Sequence, residues 1–314
     1  MQRWSGCPFK HGKTVNLKIV IKKVQFANPI VAASGTFGFG LEFRQVANRL
    51  GGVVTKAVTL NPRAGNPPPR IAEVCGGVVN SVGLENPGLQ RFKAEILPEL
   101  SKLKSQLIVN ISGAHSADFC KLAEGLTEQS IAGLEINLSC PNVGAGGVTL
   151  GQNPKIVEKI TAAVRKTTEK LLIVKLTANF VDPAETARAA EAGGADAVTV
   201  INTLFGLVLD ENGQPFLGGR TGGVSGPAIK PFALYCVDRV ASAVSIPVIG
   251  CGGIINGRDA FEFICAGAKL VQVGTAHLIE PDRSLKILAE LKNICRRRKI
   301  NSLEDIRGQT RRIK

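Results

Sequence analysis

The sequence predicts a (β/α)8 (TIM) barrel of the α/β class, in one domain spanning residues 1–314. Two observations lead there. Short apolar runs recur along the chain, each followed by turn residues and then by a segment of helical period, and eight such units can be counted. The composition is 44% hydrophobic but only 5% aromatic, with abundant Val, Ile, Ala and Gly, which suits short buried strands covered by helices. An open doubly wound sheet is the alternative reading of the same alternation.

In chain order, residues 1–14 form an N-terminal extension, and residues 15–21 and 24–26 form a β-hairpin turning at Lys22 and Lys23 that closes the barrel's bottom. The eight strands are expected at 29–33, 52–55, 107–111, 134–138, 172–176, 197–201, 247–250 and 270–273. Helices are expected at 154–167, with Ile156, Ile160, Ala163 and Val164 on one face, and at 183–192, 228–244 and 259–268. Asp182 reads as the N-cap of the second of these, with Pro183 at its first position. Long loops follow the second strand (56–105) and the sixth (202–245), and loops of that length in a compact domain are usually functional.

The net charge is +14, and many of the basic residues crowd a C-terminal tail at 296–314. Such a tail serves solubility or an acidic partner surface. Nucleic-acid binding is disfavoured, because no recognition-helix pattern is present and aromatic residues do not interleave with the basic ones. No stretch is apolar enough to span a bilayer, and residues 1–13 lack the apolar core of a secretory signal, so no membrane association and a cytoplasmic location are expected. The eight cysteines form no C-x-x-C pair and no histidines share metal-ligand spacing, so no metal site is expected. His11, His115 and His277 read as structural.

What ends each strand is more informative. Ser34-Gly35, Lys56, Asn110, Asn137-Leu138-Ser139-Cys140, Lys175, Asn202-Thr203, Gly250-Cys251-Gly252-Gly253 and Gly274-Thr275 would converge on one mouth, where barrel active sites lie. Lys56 and Lys175 follow Val-rich runs, and a bound anion would explain buried ammoniums there. Gly252-Gly253 and Gly274-Thr275, after the seventh and eighth strands, can expose backbone N–H groups to a phosphate. No G-x-G-x-x-G follows a strand, so flavin mononucleotide fits better than a dinucleotide. Cys140 leaves a strand at the active-site end and precedes a Gly-rich stretch suited to a lid, which makes its thiol the candidate base or nucleophile.

Several of these segments are recognisable together. Ala33-Ser34-Gly35-Thr36-Phe37-Gly38, Thr55-Lys56-Ala57-Val58-Thr59 and Gly65-Asn66-Pro67-Pro68-Pro69-Arg70 resemble segments of class 1 dihydroorotate dehydrogenases. So do Asn80-Ser81-Val82-Gly83-Leu84-Glu85-Asn86-Pro87-Gly88, Ile136-Asn137-Leu138-Ser139-Cys140-Pro141-Asn142, Thr221-Gly222-Gly223-Val224-Ser225-Gly226-Pro227-Ala228 and Val248-Ile249-Gly250-Cys251-Gly252-Gly253-Ile254. The likeness runs in order from about residue 15 to about residue 290.

The resemblance implies an FMN enzyme that oxidises dihydroorotate to orotate in de novo pyrimidine biosynthesis, with Cys140 as catalytic base. It implies that Ser34, Lys56, Ala57, Asn110, Asn137, Lys175, Ile201 and Gly226 hold the isoalloxazine and ribityl parts of FMN, and that Gly252, Gly253, Gly274 and Thr275 hold its phosphate. It implies substrate contacts from Lys56, Asn80, Ser81, Val82, Gly83, Leu84, Asn137, Asn202 and Thr203. Lys175 would stabilise negative charge on the reduced ring.

The Pro-Pro-Pro-Arg and Glu-Asn-Pro-Gly segments look most like class 1B. Its catalytic chain pairs with a subunit carrying FAD and an iron–sulfur cluster and passes electrons to NAD; a homodimer is also implied. The alternatives are the fumarate-reducing class 1A enzyme, a flavoprotein similar to dihydropyrimidine dehydrogenase, and a noncatalytic barrel used for binding or assembly. Leu150 stands where relatives often carry an aromatic lid residue.

Overall fold

The computed structural model describes residues 15–138 and 147–312, with only the backbone described at 147–149 and 312. Its strands are β1 (Ile19–Ile21), β2 (Val24–Phe26), β3 (Ile30–Ala32), β4 (Gly52–Val54), β5 (Ile71–Val74), β6 (Gly77–Asn80) and β7 (Gln106–Ile111). They continue as β8 (Gly133–Asn137), β9 (Leu171–Lys175), β10 (Ala197–Val200), β11 (Leu204–Leu207), β12 (Thr221–Ser225), β13 (Val248–Cys251) and β14 (Ala268–Val273). Strands β3, β4, β7, β8, β9, β10, β13 and β14 close into a barrel in sequence order, every neighbouring pair parallel. These are the eight expected strands, displaced at their ends by no more than two residues.

The agreement has a physical cause. A parallel strand covered by helices is buried on both faces, so it reads as an unbroken apolar run rather than an alternation. Every residue of β3, β4, β8, β9 and β10 is buried. The helix Pro183–Ala192 has the predicted bounds, and Asp182 Oδ1 caps it by accepting from Ala184 N at 3.0 Å. The helix Pro154–Arg165 buries Val157, Ile160, Thr161 and Val164, so its inward stripe is turned by about one residue from the predicted Ile156–Ala163 face. The helix expected at 228–244 begins as a 3-10 turn at Pro227–Ile229 and is regular only over Lys230–Ala241; the next runs Gly257–Ala266, two residues earlier than expected.

The hairpin forms β1 and β2, turning at Lys22 in the left-handed region (φ 54°), while residues 15–18 lie outside it and Asn16 bridges to Ser302. It lies at the strands' N-terminal ends: Gln106 Nε2 donates to Gln25 O at 2.8 Å, and Lys22 pairs with Asp196 at 3.2 Å.

Two expectations gain detail. The segment read as a basic tail packs against the barrel. After the helix Arg283–Arg297 the chain buries Leu303 and Ile306, sets Arg298 over the Phe261 ring, and donates Gly308 N to Ile264 O. Its apolar residues recur among the charges and bind it to the barrel. The two long connections are also not plain loops. Their strands combine as a four-stranded antiparallel sheet in the order β11-β12-β6-β5, joined by Gly223 opposite Asn80 and Val224 opposite Val79. This sheet overhangs the barrel mouth, and a smaller apolar cluster of Ala72, Val79 and Leu217 holds it together.

Candidate active site

A cavity of about 240 Å³, open to solvent at its mouth, lies at the C-terminal ends of the barrel strands. Its wall includes Ser34 after β3, Lys56 and Ala57 after β4, Asn137 at the end of β8 and Lys175 at the end of β9. Ile201, Asn202 and Thr203 follow β10, Gly226 follows β12, Gly252 and Gly253 follow β13, and Gly274 and Thr275 follow β14. Asn80, Val82, Gly83 and Leu84 line the side beneath the antiparallel sheet.

The other predicted residues lie elsewhere. Asn110 is fully buried below the wall, donating to Glu135 Oε1 at 2.8 Å. Ser81 is buried behind the wall, its N–H donated to Arg70 O and its hydroxyl accepting from Asn66 Nδ2 at 2.9 Å. Cys140 lies outside the described residues, as does most of the Gly-rich stretch that follows it.

Lys175 carries the strongest electrostatic argument. It is 4% exposed, reaches the cavity, and has no hydrogen-bond or ion-pair partner among the described residues. A buried ammonium without a partner is costly, so the wall is built for a ligand that brings negative charge or acceptors. Across the cavity Lys56 Nζ sits 3.8 Å from Glu85 Oε1 and 5.6 Å from the centre of the Phe39 ring. Glu85 Oε2 meanwhile accepts from Arg70 at 2.6 Å, so Lys56 shares its carboxylate with a nearer cation and keeps N–H groups for another acceptor.

The glycines form the opposite end. Gly226, Gly252 and Gly253 all have positive φ (109°, 133° and 71°). A Cβ on Gly253 would meet the Gly226 carbonyl at 2.7 Å, while one on Gly274 would meet nothing nearer than 3.6 Å of protein. Gly274 is thus not required by the fold's own packing; its bareness leaves space on the cavity side. Thr275 Oγ1 donates to Ser225 Oγ at 2.8 Å beside it. Bare backbone with hydroxyls at one end suits a phosphate. The loop 80–84 at the cavity's side is held by hydrogen bonds: Asn66 N donates to Val82 O, Arg70 Nε donates to Asn66 O at 2.6 Å, and Asn80 Nδ2 donates to Gly223 O at 3.1 Å.

Sequence reasoning overlooked Glu135, Thr199 and Gln272, which meet inside the barrel, and the Arg70–Glu85 pair at the rim. The signal for the first three was available: each is a polar residue flanked on both sides by apolar residues of a barrel strand. Cys251 also lines the cavity; burial raises its thiol pKa, Lys175 opposing the shift and Glu135 adding to it.

Fold and site together define a (β/α)8 barrel with a cavity at its strand ends, lined by Lys56, Lys175 and bare glycine backbone. The family model described as dihydroorotate dehydrogenase matches residues 16–295, and the chain belongs to that family. It is 47% identical over 297 residues to "Dihydroorotate dehydrogenase B (NAD(+)), catalytic subunit" of Alkaliphilus oremlandii, covering 94% of this chain and 98% of the relative. The protein of the same name from Bacteroides fragilis is 46% identical, with 93% and 98% covered. A solved structure, the Eimeria tenella DHODH in complex with ferulenol, superposes with a TM-score of 0.78 at 24% identity, covering 98% of this chain and 92% of that one, a likeness of fold.

Proposed function

We propose that this chain is the catalytic subunit of an NAD-linked, class 1B dihydroorotate dehydrogenase of the cytoplasm, oxidising dihydroorotate to orotate in pyrimidine biosynthesis. The observation that carries the reading is the buried Lys175, without a side-chain partner among the described residues, in a cavity shared with Lys56 and a glycine-lined end, in a chain that spans nearly the whole length of relatives bearing that name. These residues fit FMN: Gly252, Gly253, Gly274 and Thr275 offer a phosphate cradle, and Lys175 faces the cavity interior. When bound, FMN supplies the acceptor for the hydride that leaves C6 of the substrate.

The chain's own residues do the rest. Ser34, Ala57, Ile201 and Gly226 shape the flavin compartment, and Lys175 holds a fixed positive charge against it. Lys56 pairs with the substrate carboxylate, while Asn80, Asn137, Asn202 and Thr203 offer amides and a hydroxyl to the cyclic diamide. Cys140, three residues past Asn137 in sequence, takes the proton from C5. The cavity's apolar side, with Val82, Leu84, Ile254 and Ile255, limits water around the reacting atoms.

Purified protein should be yellow, and the released cofactor should be FMN; FAD, or no flavin after reconstitution, would refute the assignment. Cys140→Ala should keep FMN but slow flavin reduction by dihydroorotate by roughly 10²–10⁴-fold. Cys140→Ser should recover activity only at raised pH, since a hydroxyl is a far weaker acid than a thiol. Near-wild-type reduction by the alanine variant at neutral pH would exclude Cys140 as the base.

A further inference from the structure

Below the cavity floor the barrel holds a polar cluster that its apolar strand runs do not predict. Glu135, in the middle of β8, is fully buried. Its Oε1 accepts from Asn110 Nδ2 at 2.8 Å, and its Oε2 accepts from Gln272 Nε2 at 2.7 Å and from Thr199 Oγ1 at 2.9 Å. One carboxylate thus ties β8 to β7, β14 and β10. The carbonyl oxygen of Gln272 is buried without a partner. Burying a carboxyl held only by neutral donors costs stability that an apolar side chain would not, so fold stability alone does not account for this cluster.

The geometry offers another reason. A carboxylate oxygen here serves as acceptor, so the Asn110 amide turns its N–H2 toward Glu135 and its carbonyl oxygen away. That oxygen accepts from Asn137 Nδ2 at 3.5 Å. Asn137 stands two residues beyond Glu135 on β8, one pleat nearer the mouth, and lines the cavity beside its register partner Lys175. Asn110 does not reach the wall, so its effect on a ligand passes through Asn137.

We propose that Glu135 is a positioning residue, setting the amide orientation of Asn110 and through it that of Asn137, so that the cavity floor presents one fixed order of donor and acceptor. The inference rests on reading the cavity as a site for FMN and dihydroorotate. An asparagine amide is nearly symmetric in shape, and its partners alone decide which end donates. Without an acceptor beneath it, Asn110 can turn over and offer N–H2 to N–H2, and Asn137 then meets the ligand with the wrong group. The required property is an acceptor, not a charge.

Two variants separate these properties. E135M removes the acceptor while filling the volume. E135Q keeps a carbonyl oxygen for Asn110, and its new N–H2 can be taken by the Gln272 carbonyl, now unpaired, after an amide flip. Titration of FMN and steady-state kinetics with dihydroorotate are read on each full-length protein beside the wild type. E135M should fold, bind FMN at least roughly tenfold more weakly and raise KM more than it lowers kcat, whereas E135Q stays within about twofold of wild type. Wild-type FMN affinity and KM in E135M would overturn the proposal; equal impairment in E135Q and E135M would overturn it too, by making charge the operative property. Should E135M not fold, NMR of the wild-type chain decides: the Asn110 side-chain N–H2 should exchange slowly with water, with or without FMN, and fast exchange refutes the lock. A wild-type chain that binds no FMN would instead overturn the reading of the site, leaving the NMR result to judge Glu135 separately.

Discussion

His277 shows how burial resets the titration of a single structural side chain. It follows the last barrel strand in the short helix Ala276–Ile279, is 3% exposed, and lies against Phe37 with ring centroids 4.5 Å apart. Burial lowers its pKa from 6.5 to about 4, and the Val273 carbonyl offsets only part of the effect. A histidine with a depressed folded pKa binds protons more readily when unfolded. Its contribution is therefore fully present above pH 6.5 and is lost as pH falls toward 4, by up to about 3 kcal/mol. Urea unfolding across that window should show the loss in wild type and a flatter profile in H277F. A variant with the same acid profile as wild type would place the acid sensitivity elsewhere.

At the scale of elements, the barrel strands were legible and the sheet over the mouth was not. Strand β9, Leu-Leu-Ile-Val-Lys, is buried along its whole length, and such a run announces itself. Strand β5 buries only Ala72 and β11 buries no residue, each over only four residues, and β6 finds β12 some 140 residues away in the chain. Register between such short pieces depends on their being brought together, which no local pattern encodes. The packing of the C-terminal segment was hidden for a related reason: charges dominate its composition, while Leu303 and Ile306 do the anchoring. Ending the chain after Arg297 should keep the barrel folded but remove roughly 3–5 kcal/mol of apolar burial, seen as a lower Tm. An unchanged Tm would show that the segment's packing contributes nothing.

At the scale of the whole molecule, the net charge of +14 is what is left after every acidic side chain has been counted, so internal ion pairs do not reduce it. Arg283 pairs with Glu280 and Glu290, Arg307 with Glu304, and Arg298 covers the Phe261 ring. The whole excess is available to an acidic partner. Under the class 1B reading the isolated chain should reduce dyes with dihydroorotate but reduce NAD poorly, and an FAD and iron–sulfur subunit should restore NAD reduction. Weaker association with rising salt would assign the charges a part in docking, since exposed charges are screened beyond about 10 Å at 0.1 M. Efficient turnover with fumarate by the isolated chain, with no gain from a partner, would point to class 1A instead.

The order of the barrel strands, the polar residue ending each, and the glycines after β13 and β14 were determined by the sequence itself. Burial on both faces and phosphate-friendly backbone are local properties, written in consecutive residues. The cavity's wall was largely legible for the same reason, because a parallel barrel carries every strand end to one mouth. Tertiary structure alone decided that Asn110 stands below the wall, that Glu135, Thr199 and Gln272 meet, and that Glu85 lies between Arg70 and Lys56. Glu135 and its partners are separated by about 25 residues or more, and only closure of the barrel brings their side chains within hydrogen-bond range, while the folding of the segment around β5 and β6 sets Glu85 beside Arg70.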